Sequence, residues 1–373
     1  MVQLLKNTIS LIHDSPKRGV FAITGGGSEA LSRLLAVPGA SRTVLEAIVP
    51  YHSESLAQFL GGQPDQACSD KTARAMAMAA FQRAMALDPE ADHQVLLGLG
   101  VTSALSTDRQ RRGDNKVFVC IQTLGATVEA SLVLVAQRSR KEEESLVATL
   151  IIDLLAEVCG LPIDLAFPEE PDIFHRRETV ARQAWQDLLN GESNSSHDPG
   201  AAPQVLFPGA FNPLHDGHRT MIRLAETLLE KPVTLEISVF NVDKPPLDYF
   251  DLAHREAAVG EQCPLIFTHA PTFVEKSAIF PGVTFVVGVD TVKRIAQSRY
   301  YNGSMTECLE AISTIRDHGN QFLVFGRQHG DDFESLDDLD LPEVLRSICH
   351  GVEEEMFRHD ISSSQLRAKN AGD

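Results

Sequence analysis

Two histidines set three residues apart, His215 and His218, follow a turn marked by Pro208, Gly209 and Pro213. Ahead of the turn stands a short apolar run, Val205-Leu206-Phe207. Behind it Met221, Ile222, Leu224, Ala225 and Leu228 recur at helical spacing. The pattern predicts a strand over 204–207, a tight loop, and a helix over 217–230. Gly209 lacks a Cβ and would let the backbone approach a ligand closely. The helix start offers N–H groups with no intrahelical partner and the positive end of the helix dipole, both of which favour phosphate. The two imidazoles would stand there as donors to its oxygens. The bland alternative is a chance Gly/Pro turn with two surface histidines.

The run Pro208-Gly209-Ala210-Phe211-Asn212-Pro213-Leu214-His215-Asp216-Gly217-His218 resembles the GxFxPxHxGH signature of the HxGH nucleotidyltransferase superfamily. A second signature of that family, ISSTxxR, is matched near the chain end by Ile361-Ser362-Ser363-Ser364-Gln365-Leu366-Arg367, with Ser364 in place of Thr. The resemblance implies that His215 and His218 are catalytic, contacting the triphosphate and stabilising charge on the transferring phosphate. It implies that Gly209, Ala210, Phe211 and Gly217 seat the nucleotide, and that Ser362, Ser363 and Arg367 hold the leaving pyrophosphate. An Arg fork can meet two phosphate oxygens at once. Mg²⁺ is implied with ATP. The attacking acceptor phosphate is already an anion, so no general base is needed and catalysis reduces to positioning and charge stabilisation.

The acceptor is read from weaker elements. Asn241-Val242-Asp243-Lys244-Pro245-Pro246 is similar to the Pro/Lys substrate loop of nicotinate- and nicotinamide-mononucleotide adenylyltransferases. The alternative for Lys244 is a solvated surface side chain in a Pro-stiffened loop. Asp251–Arg255 looks like the Leu-x-x-Arg segment of those enzymes, and Phe285–Asp290 like their Gly-x-Asp strand end. On this resemblance Lys244, Gly288 and Asp290 bind the acceptor, and the chain makes a dinucleotide in NAD biosynthesis. Phosphopantetheine adenylyltransferases usually carry Thr where His215 stands. Cytidylyltransferases acting on a phospho-alcohol keep both histidines and remain the enzymatic rival. A non-catalytic nucleotide-binding or scaffold protein is the rival of another class.

The chain has 373 residues, with 33 Lys and Arg against 51 Asp and Glu and a formal net charge of −18. That balance argues against a general affinity for nucleic acid or anionic membranes, which need positive surface. The six cysteines are scattered without a CxxC pair and read as buried small residues in a reducing compartment, with no zinc site. No signal-peptide pattern opens the chain, and the expected location is cytoplasmic. The acidic stretch 331–343 lacks the Gly and spacing of a calcium loop and reads as a solvated insertion.

The first half repeats the strand, glycine-turn, helix order at Gly19–Thr24, Gly25-Gly26-Gly27 and Ser28–Leu35. Alone, this reads as a tight turn rather than a phosphate loop. A long helix is expected over 69–87, with Met76, Met78 and Met85 as core filling. A strand follows at 94–105, then a hairpin of 116–123 and 126–135, and a closing helix over 138–160. With the segment Ala47–Glu54, this order resembles the C-terminal domain of the competence/damage-inducible CinA family, some of whose members are nicotinamide-nucleotide amidases. Ala22 stands where that family has its catalytic Ser, and Leu56 where it has its Lys, which leaves no activated nucleophile. The implied role is packing, ligand sensing or homo-oligomerisation. The basic run Arg109–Arg112 would suit either a solvated loop or a phosphate contact.

Three parts follow: 1–165, a CinA-like α/β domain without amidase activity; 166–203, a polar helix at 172–189 and a flexible linker; and 204–373, the nucleotidyltransferase domain. In the last, strands alternating with helices predict a Rossmann-like parallel sheet covered on both faces. The fold class is α/β throughout.

Overall fold

The computed structural model describes residues 2–108, 113–161, 171–197, 202–240, 247–260, 263–329 and 332–356. The chain divides into two units: Met1–Gln186 with the described residues 247–251, and Asp187–Asn241 with the residues from Leu252 on.

The first unit runs α1 (Val2–Asp14), β1 (Arg18–Thr24), α2 (Glu29–Leu35), β2 (Val44–Ile48), α3 (Ser53–Leu60), α4 (Asp70–Leu87), β3 (Leu96–Ala104), β4 (Asn115–Thr123), β5 (Ala126–Leu134), α5 (Arg140–Val158) and β6 (Ile173–Val180), with α6 (Gln183–Leu189) at its close. The sheet order is β2-β1-β3-β4-β5-β6, parallel across β2, β1 and β3 and antiparallel beyond. Residues of α1, α2 and α5 share one buried apolar cluster with alternate residues of the strands, among them Phe21, Leu97, Leu99 and Val119. The opposite face of β3 is bare at Gly98 and Gly100. A Cβ at Gly98 would lie 2.1 Å from the Ala77 carbonyl oxygen, and one at Gly100 2.2 Å from that of Ala73. That gap is what lets the Ala-rich α4 lie against the sheet. Met76 and Met78 are fully buried, as core filling requires.

The helix expected over 172–189 does not form as such. Ile173–Val180 is the edge strand β6, paired antiparallel with β5 from Ala126↔Val180 to Val133↔Ile173, and the helix begins only at Gln183. Most of β6 is exposed on both faces, so it lacks the apolar alternation that betrays a strand. Its charged side chains also suit an edge that must not pair with another chain.

The second unit runs β7 (Val205–Pro208), α7 (Asp216–Leu229), β8 (Val233–Ser238), α8 (Tyr249–Val259, of which Leu252 onward counts here), β9 (Leu265–Thr268), α9 (Phe273–Ile279), β10 (Thr284–Gly288), α10 (Val289–Ile295), α11 (Met305–Asp317), β11 (Gln321–Phe325), the hairpin β12 (Arg327–His329) and β13 (Asp332–Glu334), α12 (Glu343–Arg346) and β14 (Cys349–Gly351). The six-stranded sheet is parallel, in the order β14-β11-β10-β7-β8-β9. The chain builds outward from β7 through β8 to β9, then returns to β10 on the other side of β7. This is the dinucleotide-fold order, with its switch point between β7 and β10. The Rossmann-like α/β class expected from the sequence is the one that forms.

Part of the segment read as a flexible linker lies along the free edge of β9. Ser196 donates its N–H to the Phe267 carbonyl at 2.9 Å, and His269 donates to the Asn194 carbonyl at 3.0 Å. Short polar side chains carry no periodicity that would announce this pairing. The acidic stretch is also partly engaged, since Glu334 meets Lys293 at 2.5 Å. Four of the six free cysteines, Cys120, Cys263, Cys308 and Cys349, are buried.

Candidate functional site

β7 is a central strand with Val205 and Leu206 fully buried, and it delivers the chain to the carboxyl edge of the sheet beside the switch point. Gly209 donates its N–H to the Glu236 carbonyl of β8 at 3.0 Å. Ala210 turns its carbonyl to Arg255 of α8, whose Nε–H donates to it at 3.1 Å. The chain then reverses through Phe211, at φ +43°, and enters α7 at His215.

The two histidines close the helix start on each other. His215 donates its backbone N–H to His218 Nδ1 at 3.3 Å, and His218 donates its own to His215 Nδ1 at 3.4 Å. This is a reciprocal capping box built from two imidazoles instead of Ser and Glu. The rings lie stacked, 3.7 Å between centroids and 20° between planes. With each Nδ1 accepting, the neutral form of each ring carries its proton on Nε2. Burial first, and then the adjoining His215 imidazole, push the His218 pKa down to about 3. At neutral pH His218 is therefore an uncharged Nε2–H donor.

Gly209 also answers to a constraint inside the loop. A Cβ there would lie 2.6 Å from Cζ of the Phe211 ring, so the space a side chain would need is already filled from within the loop. The missing Cβ makes room for Phe211.

On the other side of the switch point, Gly288 ends β10 and begins α10. A Cβ there would meet nothing nearer than the Phe325 carbonyl oxygen at 3.9 Å, which leaves its face open. Asp290, in the first turn of α10, is ion-paired with Arg327 of β12. The structure thus gathers Gly209, Ala210, Phe211, His215, Gly217 and His218 into one loop and helix start. Gly288 and Asp290 stand at the end of the neighbouring strand, where open parallel sheets bind ligands. Lys244, Ser362, Ser363, Arg367 and the run Arg109–Arg112 lie outside the described residues. Sequence reasoning gave Arg255 no contact beyond a Leu-x-x-Arg likeness; its grip on Ala210 depends on a fold that spacing alone does not show.

Residues 206–369 match the Cytidylyltransferase-like family. The second half of the chain thus carries a nucleotidyltransferase-like domain. No curated protein matches the chain. Over its first half the chain is similar to solved structures. One is the competence/damage-inducible protein CihA from Agrobacterium tumefaciens, at 17% identity over 42% of this chain and 94% of that one, TM-score 0.35. Another is a CinA superfamily protein from Escherichia coli, at 18% identity over 42% and 88%, TM-score 0.32. A third is a competence or damage-inducible protein from Enterobacter asburiae, at 18% identity over 42% and 98%, TM-score 0.33.

In the first unit the glycine turn is closed by the chain itself. The Glu144 carboxylate of α5 accepts from the Gly27 N–H at 2.9 Å, the Glu29 N–H at 3.1 Å and the Ser28 hydroxyl at 2.9 Å. An internal anion sits where such a turn would receive one. Burial works against its ionisation, but the two N–H groups, the Ser28 hydroxyl and Arg140 outweigh it and hold the carboxyl below its usual range. Ala22 and Leu56 are both buried in the fold.

Among the described residues no helix is long and apolar enough to cross a membrane.

Proposed function

We propose that the second half of the chain transfers the AMP moiety of ATP to nicotinamide or nicotinate mononucleotide, releasing pyrophosphate. The observation that carries the reading is the reciprocal His215–His218 cap at the start of α7, beside the switch point of a parallel sheet. The acceptor's phosphate oxygen attacks the α-phosphorus of ATP. A new P–O bond forms in line as the bond to the β-phosphate bridging oxygen breaks, and pyrophosphate leaves with that electron pair. No proton has to be removed from the nucleophile. The two Nε2–H groups, oriented by the cap together with the packing around it, donate to phosphate oxygens where charge gathers. Their orientation is set before the nucleotide arrives, so little is spent on reorganisation. Ser362, Ser363 and Arg367 are assigned to the leaving pyrophosphate, and Gly288 and Asp290 to the acceptor.

Mg²⁺ belongs to this reading as the nucleotide's own counter-ion. Among the described residues no three His, Cys, Asp or Glu side chains converge. The ion would be held mainly by phosphates and water, as Mg²⁺ commonly is.

Chromatography of the products formed from ATP and either mononucleotide tests the acceptor. The dinucleotide is expected. Lys244→Ala should mainly raise KM for the mononucleotide, because a phosphate contact made in ground and transition states alike is uniform binding. A second reading that fits the family match over 206–369 equally is a cytidylyltransferase acting on a phospho-alcohol. Turnover of CTP with such an acceptor, and none with either mononucleotide, would select it and leave the histidine roles unchanged.

A further inference from the structure

Phe211 is constrained both in its backbone and in its side chain. It holds a φ of +43°, a region that L side chains enter uncommonly and only when their surroundings demand it. Its side chain is 2% exposed, although it sits in a turn at the edge of the sheet. The ring occupies the gap beside Gly209, where even one added carbon would come within 2.6 Å of it. Phe207 meets it edge-on, with centroids 5.2 Å apart and planes at 85°.

The same ring meets His218 edge-on, with centroids 5.2 Å apart at 77°. Phe207 approaches that imidazole in a similar way, at 5.8 Å and 70°. His215 is stacked on it at 3.7 Å. The His218 ring is therefore packed by two phenyl rings and one imidazole. The Nδ1 contact at 3.3 Å is too long to fix the ring alone, so packing must supply the rest.

Resting on the transfer reaction above, we propose that Phe211 is a positioning residue whose ring, seated in the gap left by Gly209, fixes the orientation of the His218 imidazole and so keeps its Nδ1 on the His215 N–H and its proton on Nε2. Its side chain touches no substrate in this scheme, in which backbone groups of the loop seat the nucleotide. The strained backbone of Phe211 and the missing side chain of Gly209 are then two halves of one device, since neither would be tolerated without the other.

The test uses the full chain with labelled histidine. Nitrogen NMR of wild type at neutral pH should show His218 as a single tautomer with its proton on Nε2. Phe211→Leu removes the ring edge but keeps an apolar side chain. It should give mixed tautomers at His218 and lower kcat by about 10²-fold, as a misplaced catalytic group does. KM for the nucleotide should change little. Gly209→Ala, which pushes on the ring from the other side, should act in the same direction. A single unchanged tautomer in folded Phe211→Leu, unchanged kcat in that variant, or mixed tautomers already in wild type would each overturn the proposal. Should Phe211→Leu fail to fold, Gly209→Ala and the wild-type spectrum still decide it. A tautomer change in a protein that transfers no nucleotide would sink the function and leave the positioning intact.

Discussion

The imidazoles of His215 and His218 lie 3.7 Å apart and nearly parallel, each taking the other's backbone N–H. Burial of His218 opposes charging it, and the stacked His215 imidazole adds to that cost. NMR titration of the free protein should therefore show His218 neutral from about pH 8 to about pH 5, where an ordinary histidine takes up its proton. A midpoint near 6.5 would contradict the geometry.

Stability should follow the same group. The folded-state pKa of about 3 lies below the ordinary 6.5, so between those values the unfolded chain binds the extra proton. The contribution is complete above about pH 6.5 and is lost as pH falls toward 3. Denaturant midpoints measured across that window should fall with acid, and less steeply in His218→Gln. Equal slopes in the two proteins would refute the assignment.

The first unit should have no amidase activity. Ala22 and Leu56 supply neither a nucleophile nor a base, and Glu144 fills the glycine turn. Full-length protein incubated with nicotinamide mononucleotide should release no ammonia, and clear turnover would show that other residues do this chemistry. Glu144→Ala should cost about 1–2 kcal/mol in a denaturant titration, because it strips acceptors from N–H groups at a helix start. No loss of stability would mean that water serves as well.

Among the described residues of the first unit, Arg74 pairs with three carboxylates, the first being Asp70 at 3.2 Å. It is 6% exposed and meets Glu129 at 2.6 Å and Asp248 at 2.8 Å. Tyr249 adds an O–H donated to the Leu124 carbonyl at 2.7 Å. Arg74→Met would strip the cation from the buried Asp248 carboxylate and leave Glu129 with Arg177 alone, and should destabilise the protein by about 3 kcal/mol or more. Thermal melting of the full chain is the check, and an unchanged midpoint would mean that the pair is neutral in effect. A fragment ending at 186 lacks Asp248 and Tyr249, so it should melt below the first unit of the full chain.

Much of this was legible in the sequence where period and punctuation coincide. The strand at 204–207 and the loop between Pro208 and His218 are bounded by residues that allow few alternatives. β6 was not, because an edge strand exposed on both faces has no apolar period to read. The use of Gly209 was hidden for another reason. A glycine reports that a Cβ is excluded, but not whether a ligand or the chain's own Phe211 excludes it. Nor could spacing foresee Glu144, which lies 117 residues beyond the Gly27 N–H that it accepts.

Pyrophosphate release from ATP and a mononucleotide, measured side by side for wild type and folded His218→Ala, tests the central claim most directly. Wild type should turn over, and His218→Ala should lose about 10²-fold or more in kcat, roughly 3 kcal/mol of charge stabilisation. Equal turnover by the two proteins, or no pyrophosphate from wild type with any nucleotide and phosphorylated acceptor, would contradict it.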